Sequence, residues 1–299
     1  MSADLDGARP DGLEPLIDAI GQRVGPALRS VVLYGSTRRS NNPGDGLVDL
    51  MAVVSSYRAV HGIGASLLNT LLPPNVYYLE TGSDQARLRC KYIIVSEKTL
   101  RARTRGGLDG YFWARFTQPC RRVWAADQAA ELLLAECRAQ AAAHFARSAA
   151  RLGSGVMTDQ QFWVRALRAT YGCELRPEPP GAAGQLIARD PVFWSGLSAG
   201  LLPDIGDIVL RDRTVRVNLT PRHKWQGRLE WPARKIWSRT LNILRLLKAA
   251  GTFANGIDYL GWKIERHTGV RIEPTERMRR HPRLAAWGLL FRLWKSGAL

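Results

Sequence analysis

The sequence has few acidic residues, few cysteines and no long apolar run. It carries 43 Lys and Arg against 26 Asp and Glu, which gives a formal net charge of +17. Its four cysteines form no C-x-x-C pair, which excludes a disulfide framework and a structural zinc site and favours a reducing compartment. Because no apolar run approaches the roughly 20 residues of a membrane-spanning helix, we expect a soluble or peripheral protein.

Residues 1–21 also lack features that would direct export. They are acidic and contain no continuous apolar core, so they match neither a signal peptide nor a basic transit peptide. The histidines show no metal-ligand spacing.

With 299 residues, 45% of them hydrophobic, the chain can bury a sizeable core and suggests about two domains. The excess of positive charge favours a polyanionic partner: nucleic acid, an anionic membrane or a polyphosphate substrate.

Apolar periodicity predicts a mixed sheet followed by a mostly helical region. The predicted strands lie at 30–34, 47–54, 75–79 and 88–95. The predicted helices lie at 13–24, from about residue 125 onward, after a capping box formed by Thr158 and Gln161, and at 233–250. Alternation over 207–219 predicts a strand pair that turns at Arg211–Arg213.

The segment between the first two strands resembles the nucleotidyltransferase signature. A strand ends at Gly35-Ser36, a loop rich in Asn, Gly and Pro follows, and the next strand carries Asp49. In that signature the glycine lets the backbone approach a triphosphate, the serine bonds a phosphate, and the carboxylate holds Mg²⁺. The alternative is a β-hairpin in which Gly-Ser simply ends a strand.

The second acid of that signature is missing here. Most members of the superfamily carry another carboxylate two residues after the first, whereas this chain has Met51. Either a single metal ion suffices, or another carboxylate comes from elsewhere in the chain. Asp45 and Glu174 are the candidates.

Further segments, in the same order, resemble the soluble, mitochondrial-type phosphatidate cytidylyltransferases, which are CDP-diacylglycerol synthases also called translocator assembly and maintenance proteins. That family also has a single aspartate after its YGS motif. The matching segments are YGS with VDLMAVVSSYRAVH, NVYYLE, LRCKYIIVSEKTL, WARFTQPCRRV, TDQQFWVRALRATYGCELR and RKIWSRTLNILRLLKAAGTFANGIDYLGWKIERHTG. They are spread over most of the chain.

The resemblance implies a set of site residues at the matched positions. As nucleotide-binding residues it implies Tyr34, Gly35, Ser36, Lys91, Tyr92, Arg115 and Arg176. As catalytic residues it implies Asp49, Lys91 and Glu174, with Asp49 and Glu174 holding Mg²⁺; the family has an aspartate where this chain has Glu174. The alternatives are that Lys91 is an edge or solvent-facing strand residue, that Arg115 caps a helix end, and that Arg38 and Arg39 are solvated rather than bound to pyrophosphate.

The same resemblance implies an α/β fold in three parts. A nucleotidyltransferase domain with a mixed sheet is expected at 1–125. A mostly helical domain, for which a winged-helix-like arrangement is an option, is expected at 126–232. A C-terminal helical region is expected at 233–299. The last part ends in a basic amphipathic segment that suits a membrane surface, with a helix docked on the core as the alternative. Its membrane-facing residues are Arg279, Arg280, Trp287, Phe291 and Trp294.

The activity that the resemblance implies is Mg²⁺-dependent transfer of a cytidylyl group from CTP to phosphatidic acid, with release of pyrophosphate. The protein is expected to be located at the anionic surface of the cytoplasmic face of the inner (plasma) membrane. In a eukaryote the expected location is the matrix face of the mitochondrial inner membrane. No nucleic-acid partner is expected. The alternatives are a nucleotidyltransferase acting on a protein, a small molecule or an RNA end, and a non-catalytic basic module that binds nucleic acid.

Overall fold

The computed structural model describes residues 5, 7, 9–35, 38, 47–82, 88–174, 179, 181–250, 275–276 and 278. The chain divides into two compact units, 1–238 and 239–299. All strands described below lie in the first unit. The predicted boundaries at 125 and 232 stay predictions.

The first half of the chain contains a mixed sheet, as predicted, but the sheet has five strands and the fifth was not predicted. Its strands are β1 (Leu28–Tyr34), β2 (Leu47–Val54), β3 (Asn75–Thr81), β4 (Leu88–Ser96) and β5 (Arg121–Ala125). Their order is β3-β4-β2-β1-β5. β2 and β4 are parallel and the other pairs are antiparallel.

This half of the chain also contains helices α1 (Glu14–Val24), α2 (Ile63–Leu71), α3 (Glu97–Thr104), α4 (Gly110–Thr117) and α5 (Gln128–Ala150). Helix α1 packs on one face of the sheet and helices α4 and α5 on the other, whereas α2 is mostly exposed. Because successive strand residues point to opposite faces, Leu33 and Leu50 belong to the core shared with α1. Val32 and Met51 belong to a second core, with the buried residues of α4 and α5.

A second sheet, of three strands, follows α5 together with further helices. After α5 come β6 (Gly155–Thr158), α6 (Asp159–Tyr171), α7 (Ala182–Arg189), α8 (Pro191–Leu201), β7 (Ile208–Arg211) and β8 (Thr214–Val217), and β8 lies between β6 and β7. The predicted capping box of Thr158 and Gln161 begins α6. The predicted turn lies at Asp212 and Arg213, whose φ angles of 46° and 64° suit a two-residue hairpin loop.

Helix α9 (Pro221–Ala250) begins earlier than expected. The predicted start at Ala233 is wrong. The first turns of the helix pack only a narrow face against the rest of the protein, and most of their other residues are exposed. On the packed face, Glu230 pairs with Arg151 at 2.7 Å. The Trp231 indole donates a hydrogen bond to the Ser148 carbonyl at 3.3 Å. Local periodicity does not reveal so narrow a face.

Gly227 of α9 lies directly against the backbone of Arg151. A Cβ atom at Gly227 would collide with the carbonyl oxygen of Arg151 and lie 3.0 Å from its carbonyl carbon. Neither backbone can yield easily, so we expect Gly227→Ala to lower the free energy of unfolding by about 2 kcal/mol. Thermal denaturation should show a Tm lower by about 5 °C.

Gly196 provides the control for this prediction. It lies within α8, and a Cβ there would meet nothing within 4 Å. Alanine favours helix over glycine, so Gly196→Ala should leave the Tm unchanged or raise it. Equal Tm values for the two variants would contradict the packing of α9 on α5.

Candidate active site

A row of polar side chains crosses the sheet on the face that α4 and α5 cover. The strand register places Tyr34 of β1 opposite Asp49 of β2, Asp49 beside Lys91 of β4, and Lys91 opposite Tyr78 of β3. Residues paired in register share a face of the sheet. Three of the residues predicted from the sequence therefore lie side by side.

Gly35 brings the backbone against the carboxylate of Asp49. It directly follows β1 and has a φ of +80°, in the left-handed region that favours glycine. A Cβ on Gly35 would lie 2.7 Å from Oδ2 of Asp49 and 3.3 Å from its Cβ. Gly35 does end the strand, as the hairpin alternative holds, and it also permits a contact that no other residue type allows.

Asp49 is half-buried, and in the described part of the chain its carboxylate forms no hydrogen bond or ion pair. Burial raises its pKa, and the positive charges of Lys91 and Arg115 oppose that rise without overcoming it. The ionised carboxylate is therefore less favourable here than it would be in water.

Arg115 lies in the last turn of α4. Its positive charge acts on the carboxylates of both Asp49 and Glu174. Its guanidinium donates a hydrogen bond to Glu174 at 3.2 Å and lies 4.5 Å from the centre of the Tyr111 ring. Burial lowers the pKa of Arg115, but Tyr111, Glu174 and Tyr34 outweigh it and the pKa is raised. The cation is thus permanent. Its Nε is buried without a hydrogen-bond partner among the described residues.

Lys91 lies in the interior of the sheet. β4 is flanked by β3 and β2, so the alternative of an edge-strand lysine is wrong. The side chain is half-buried, and among the described residues no carboxylate is close enough to form an ion pair with it. Its effect on the pKa of Asp49 shows that the two charges interact.

A narrow apolar cleft lies next to the row, between the sheet and α4. Tyr34 and Arg115 line it together with apolar residues: Val32, Met51, Ile93, Tyr111, Phe112, Phe116 and Cys120. Burial, with Tyr111 and Asp49, raises the pKa of Tyr34 well above its ordinary value. The Tyr34 hydroxyl therefore stays protonated at neutral pH and can donate a hydrogen bond.

The structure does not bring Tyr92 to this row. Its side chain is fully buried in the core on the opposite face of the sheet and stacks on Tyr77 at 5.3 Å. Neighbouring strand residues point to opposite faces, so Lys91 and Tyr92 cannot both face a ligand there. Arg38 is buried and pairs with Asp190 at 2.6 Å, so the alternative that it is solvated is wrong.

The remaining predicted residues lie outside the described residues. These are Ser36 and Arg176 at the expected nucleotide site, Arg39 and Asp45 in the loop before β2, and Arg279, Arg280, Trp287, Phe291 and Trp294 in the C-terminal segment. Their predicted roles stay predictions.

Two tyrosines of the site were not predicted. Tyr111 precedes Arg115 by one helical turn, a spacing that places both side chains on one face of α4. Tyr78 reaches the row only through the register of β3 on β4. The helical spacing could have identified Tyr111, whereas no local signal identifies Tyr78.

The donors fit Mg²⁺ only as a single-carboxylate site. The described residues contain no group of three or more His, Cys, Asp or Glu side chains able to hold a metal ion. Mg²⁺ keeps several waters and is commonly bound by one or two carboxylates together with substrate phosphates. The carboxylate of Asp49 fits that role, whereas one oxygen of Glu174 already accepts a hydrogen bond from Arg115.

Comparisons with known proteins assign no family to this chain. No protein-family model matches it, and no curated protein does. Among solved structures it aligns with a nucleotidyltransferase-like protein from Exiguobacterium sibiricum 255-15, with 12% identity, a TM-score of 0.29, and coverage of 96% of this chain and 92% of that one. This similarity is too low to assign an activity.

In the described part of the chain, no helix is both long and apolar enough to cross a membrane.

Proposed function

We propose that this protein is a nucleotidyltransferase that moves a cytidylyl group from CTP to the phosphate of phosphatidic acid. The observation that carries the proposal is the contact between Gly35 and the Asp49 carboxylate, with two cations acting on that carboxylate. A glycine backbone beside a strand-borne acid suits a bound triphosphate. The family resemblance of the sequence supports CTP and the lipid acceptor.

The proposed reaction needs no general base. A phosphate monoester is already largely ionised at neutral pH, so its oxygen can attack the α-phosphorus directly. The P–O bond to the leaving group then breaks, giving CDP-diacylglycerol and pyrophosphate. The residues of the site would act by positioning and by charge neutralisation.

Each residue of the row has a task in this scheme. Lys91 and Arg115 would neutralise phosphate oxygens, and the Tyr34 hydroxyl would donate a hydrogen bond to one of them. Asp49 would hold Mg²⁺, and Glu174 would hold Arg115 in place through their hydrogen bond. Bound Mg²⁺ supplies Lewis-acid stabilisation of the phosphate charge. The proposed location is the anionic membrane surface that holds the lipid.

The test is a comparison of acceptors in the presence of labelled CTP and Mg²⁺. Vesicles containing phosphatidic acid should yield CDP-diacylglycerol, whereas phosphatidylcholine vesicles and an RNA oligonucleotide should yield no labelled product. Replacement of CTP by ATP should reduce product formation. Transfer to RNA but not to lipid would reject the lipid acceptor and retain nucleotidyl transfer; transfer to no acceptor would reject the proposal.

A further inference from the structure

The outward side of the first half of α9 exposes an apolar stripe. Trp225 is 63% exposed, Leu229 52% and Ile236 70%. Their spacing of four and seven residues places them on one side of a helix. Large apolar side chains exposed together in this way commonly mark an interaction surface.

Cations flank this stripe. Arg222, Lys224, Arg228 and Lys235 are all exposed. The one acid in the sequence of α9, Glu230, faces the other way and pairs with Arg151 at 2.7 Å. The outer face of α9, defined by these four cations and the three apolar residues of the stripe, is therefore basic and amphipathic.

Packing of the opposite side fixes which way this face points. Arg234 is only 3% exposed and donates hydrogen bonds to the Gly107 carbonyl at 2.5 Å and to Ser148 Oγ at 3.2 Å. Gly227 lies against the backbone of Arg151. Rotation of the helix to bury the stripe would break these contacts.

We propose that the outer face of α9 binds an anionic lipid surface. Trp, Leu and Ile side chains can enter the boundary between headgroups and acyl chains, while the flanking cations meet anionic headgroups. The choice of lipid as partner rests in part on the proposed function, whereas the surface itself does not. Its residues differ from those of the C-terminal segment 279–299 that the sequence suggests.

Other partners suit this face less well. Two copies of the chain meeting through it would bring like charges together without an acid to pair with them. A nucleic acid would engage the cations through its phosphates, but its backbone offers no apolar surface to cover Trp225, Leu229 and Ile236. A lipid surface satisfies both parts of the face.

Vesicle sedimentation of the full chain without nucleotide tests this inference. The protein should sediment with vesicles of phosphatidylcholine and phosphatidylglycerol and far less with phosphatidylcholine alone. The variant Trp225→Ser, Leu229→Ser, Ile236→Ser should bind at least about 100-fold more weakly, because the apolar area that enters the interface is lost. Arg228→Gln with Lys235→Gln should bind about 30-fold more weakly and with less dependence on salt.

Matched variants elsewhere separate this face from a general effect of composition. Ile63→Ser with Leu67→Ser removes apolar residues of α2 that are 67% and 62% exposed. Arg211→Gln with Arg216→Gln removes two exposed charges from the β7–β8 hairpin. Both variants should sediment like the parent protein. Thermal denaturation of all variants checks that each is folded.

Two kinds of result would overturn the inference. One is unchanged sedimentation of the folded α9 variants, or an equal loss in the control variants. The other is binding of the outer face to an RNA oligonucleotide or an acidic protein with no vesicle binding. Because the assay contains no nucleotide, Asp49→Asn should sediment normally, so failure of the proposed reaction leaves this result interpretable.

Discussion

Asp49→Asn should reduce nucleotidyl transfer by about three orders of magnitude, because it removes the charge that the proposed Mg²⁺ site depends on. Asparagine keeps the size and shape of the side chain, so the contact with Gly35 is retained. The measurement is the rate of CDP-diacylglycerol formation at saturating CTP and Mg²⁺. Activity within tenfold of the parent protein would show that Asp49 is not the metal ligand.

The same substitution should not destabilise the protein at neutral pH. Burial raises the pKa of Asp49, so the folded state favours the protonated carboxyl and pays a cost for the ionised one. The substitution removes that cost at pH 7, and we expect an equal or higher Tm. The difference should disappear as the pH falls below the ordinary pKa of an aspartate, where both side chains are neutral.

An exposed aspartate serves as the control for both effects. Asp18 lies on the outward side of α1 and is exposed. Asp18→Asn removes the same charge from the chain while leaving the polar row intact. Its transfer rate and its Tm should match those of the parent protein, which would separate the role of Asp49 from the effect of net charge.

The second large effect is expected for Gly35→Ala. The new Cβ would lie 2.7 Å from Oδ2 of Asp49, so the carboxylate must move, and the φ of +80° would be strained in alanine. A displacement of this kind commonly lowers a rate by about 100-fold. We also expect a loss of stability of about 1–2 kcal/mol from backbone strain, measured by chemical denaturation.

The variant Gly25→Ala separates the effect of backbone strain from the effect of a steric clash with Asp49. Gly25 has a φ of +67°, close to that of Gly35, but a Cβ there would meet nothing within 4 Å. It should therefore lose stability as Gly35→Ala does while keeping full transfer activity. Loss of activity in both variants would mean that stability alone explains the effect, and full activity in Gly35→Ala would remove the main support for the proposed function.

Some features of this protein follow from local sequence. The bounds of β2 match the predicted 47–54, and the capping box at Thr158 and Gln161 is confirmed. Both depend on residues within a few positions of each other: an apolar run between loop residues, and two side chains that satisfy the first amide groups of a helix. The combination of Gly35 and Asp49, which the structure brings into contact, was likewise visible as a motif.

The alternation of side chains between the two faces of a sheet is also a local property of a strand, and it excludes one of the predictions. Lys91 and Tyr92 were both expected at the nucleotide, yet consecutive residues of a strand face opposite sides. The start of α9 was missed for a different reason. Its first turns bury a narrow face around Gly227, and most of its other residues are basic or exposed.

Only the tertiary structure decided which distant residues meet. Arg115 and Glu174 are 59 positions apart and pair because α4 and the end of α6 come together. Tyr78 joins the row through strand register alone. The sequence by itself determined the elements, the Gly35 and Asp49 motif and the excess of positive charge, because these depend on neighbouring residues and on composition. Register and helix packing depend on contacts between distant segments, which composition and local periodicity do not encode.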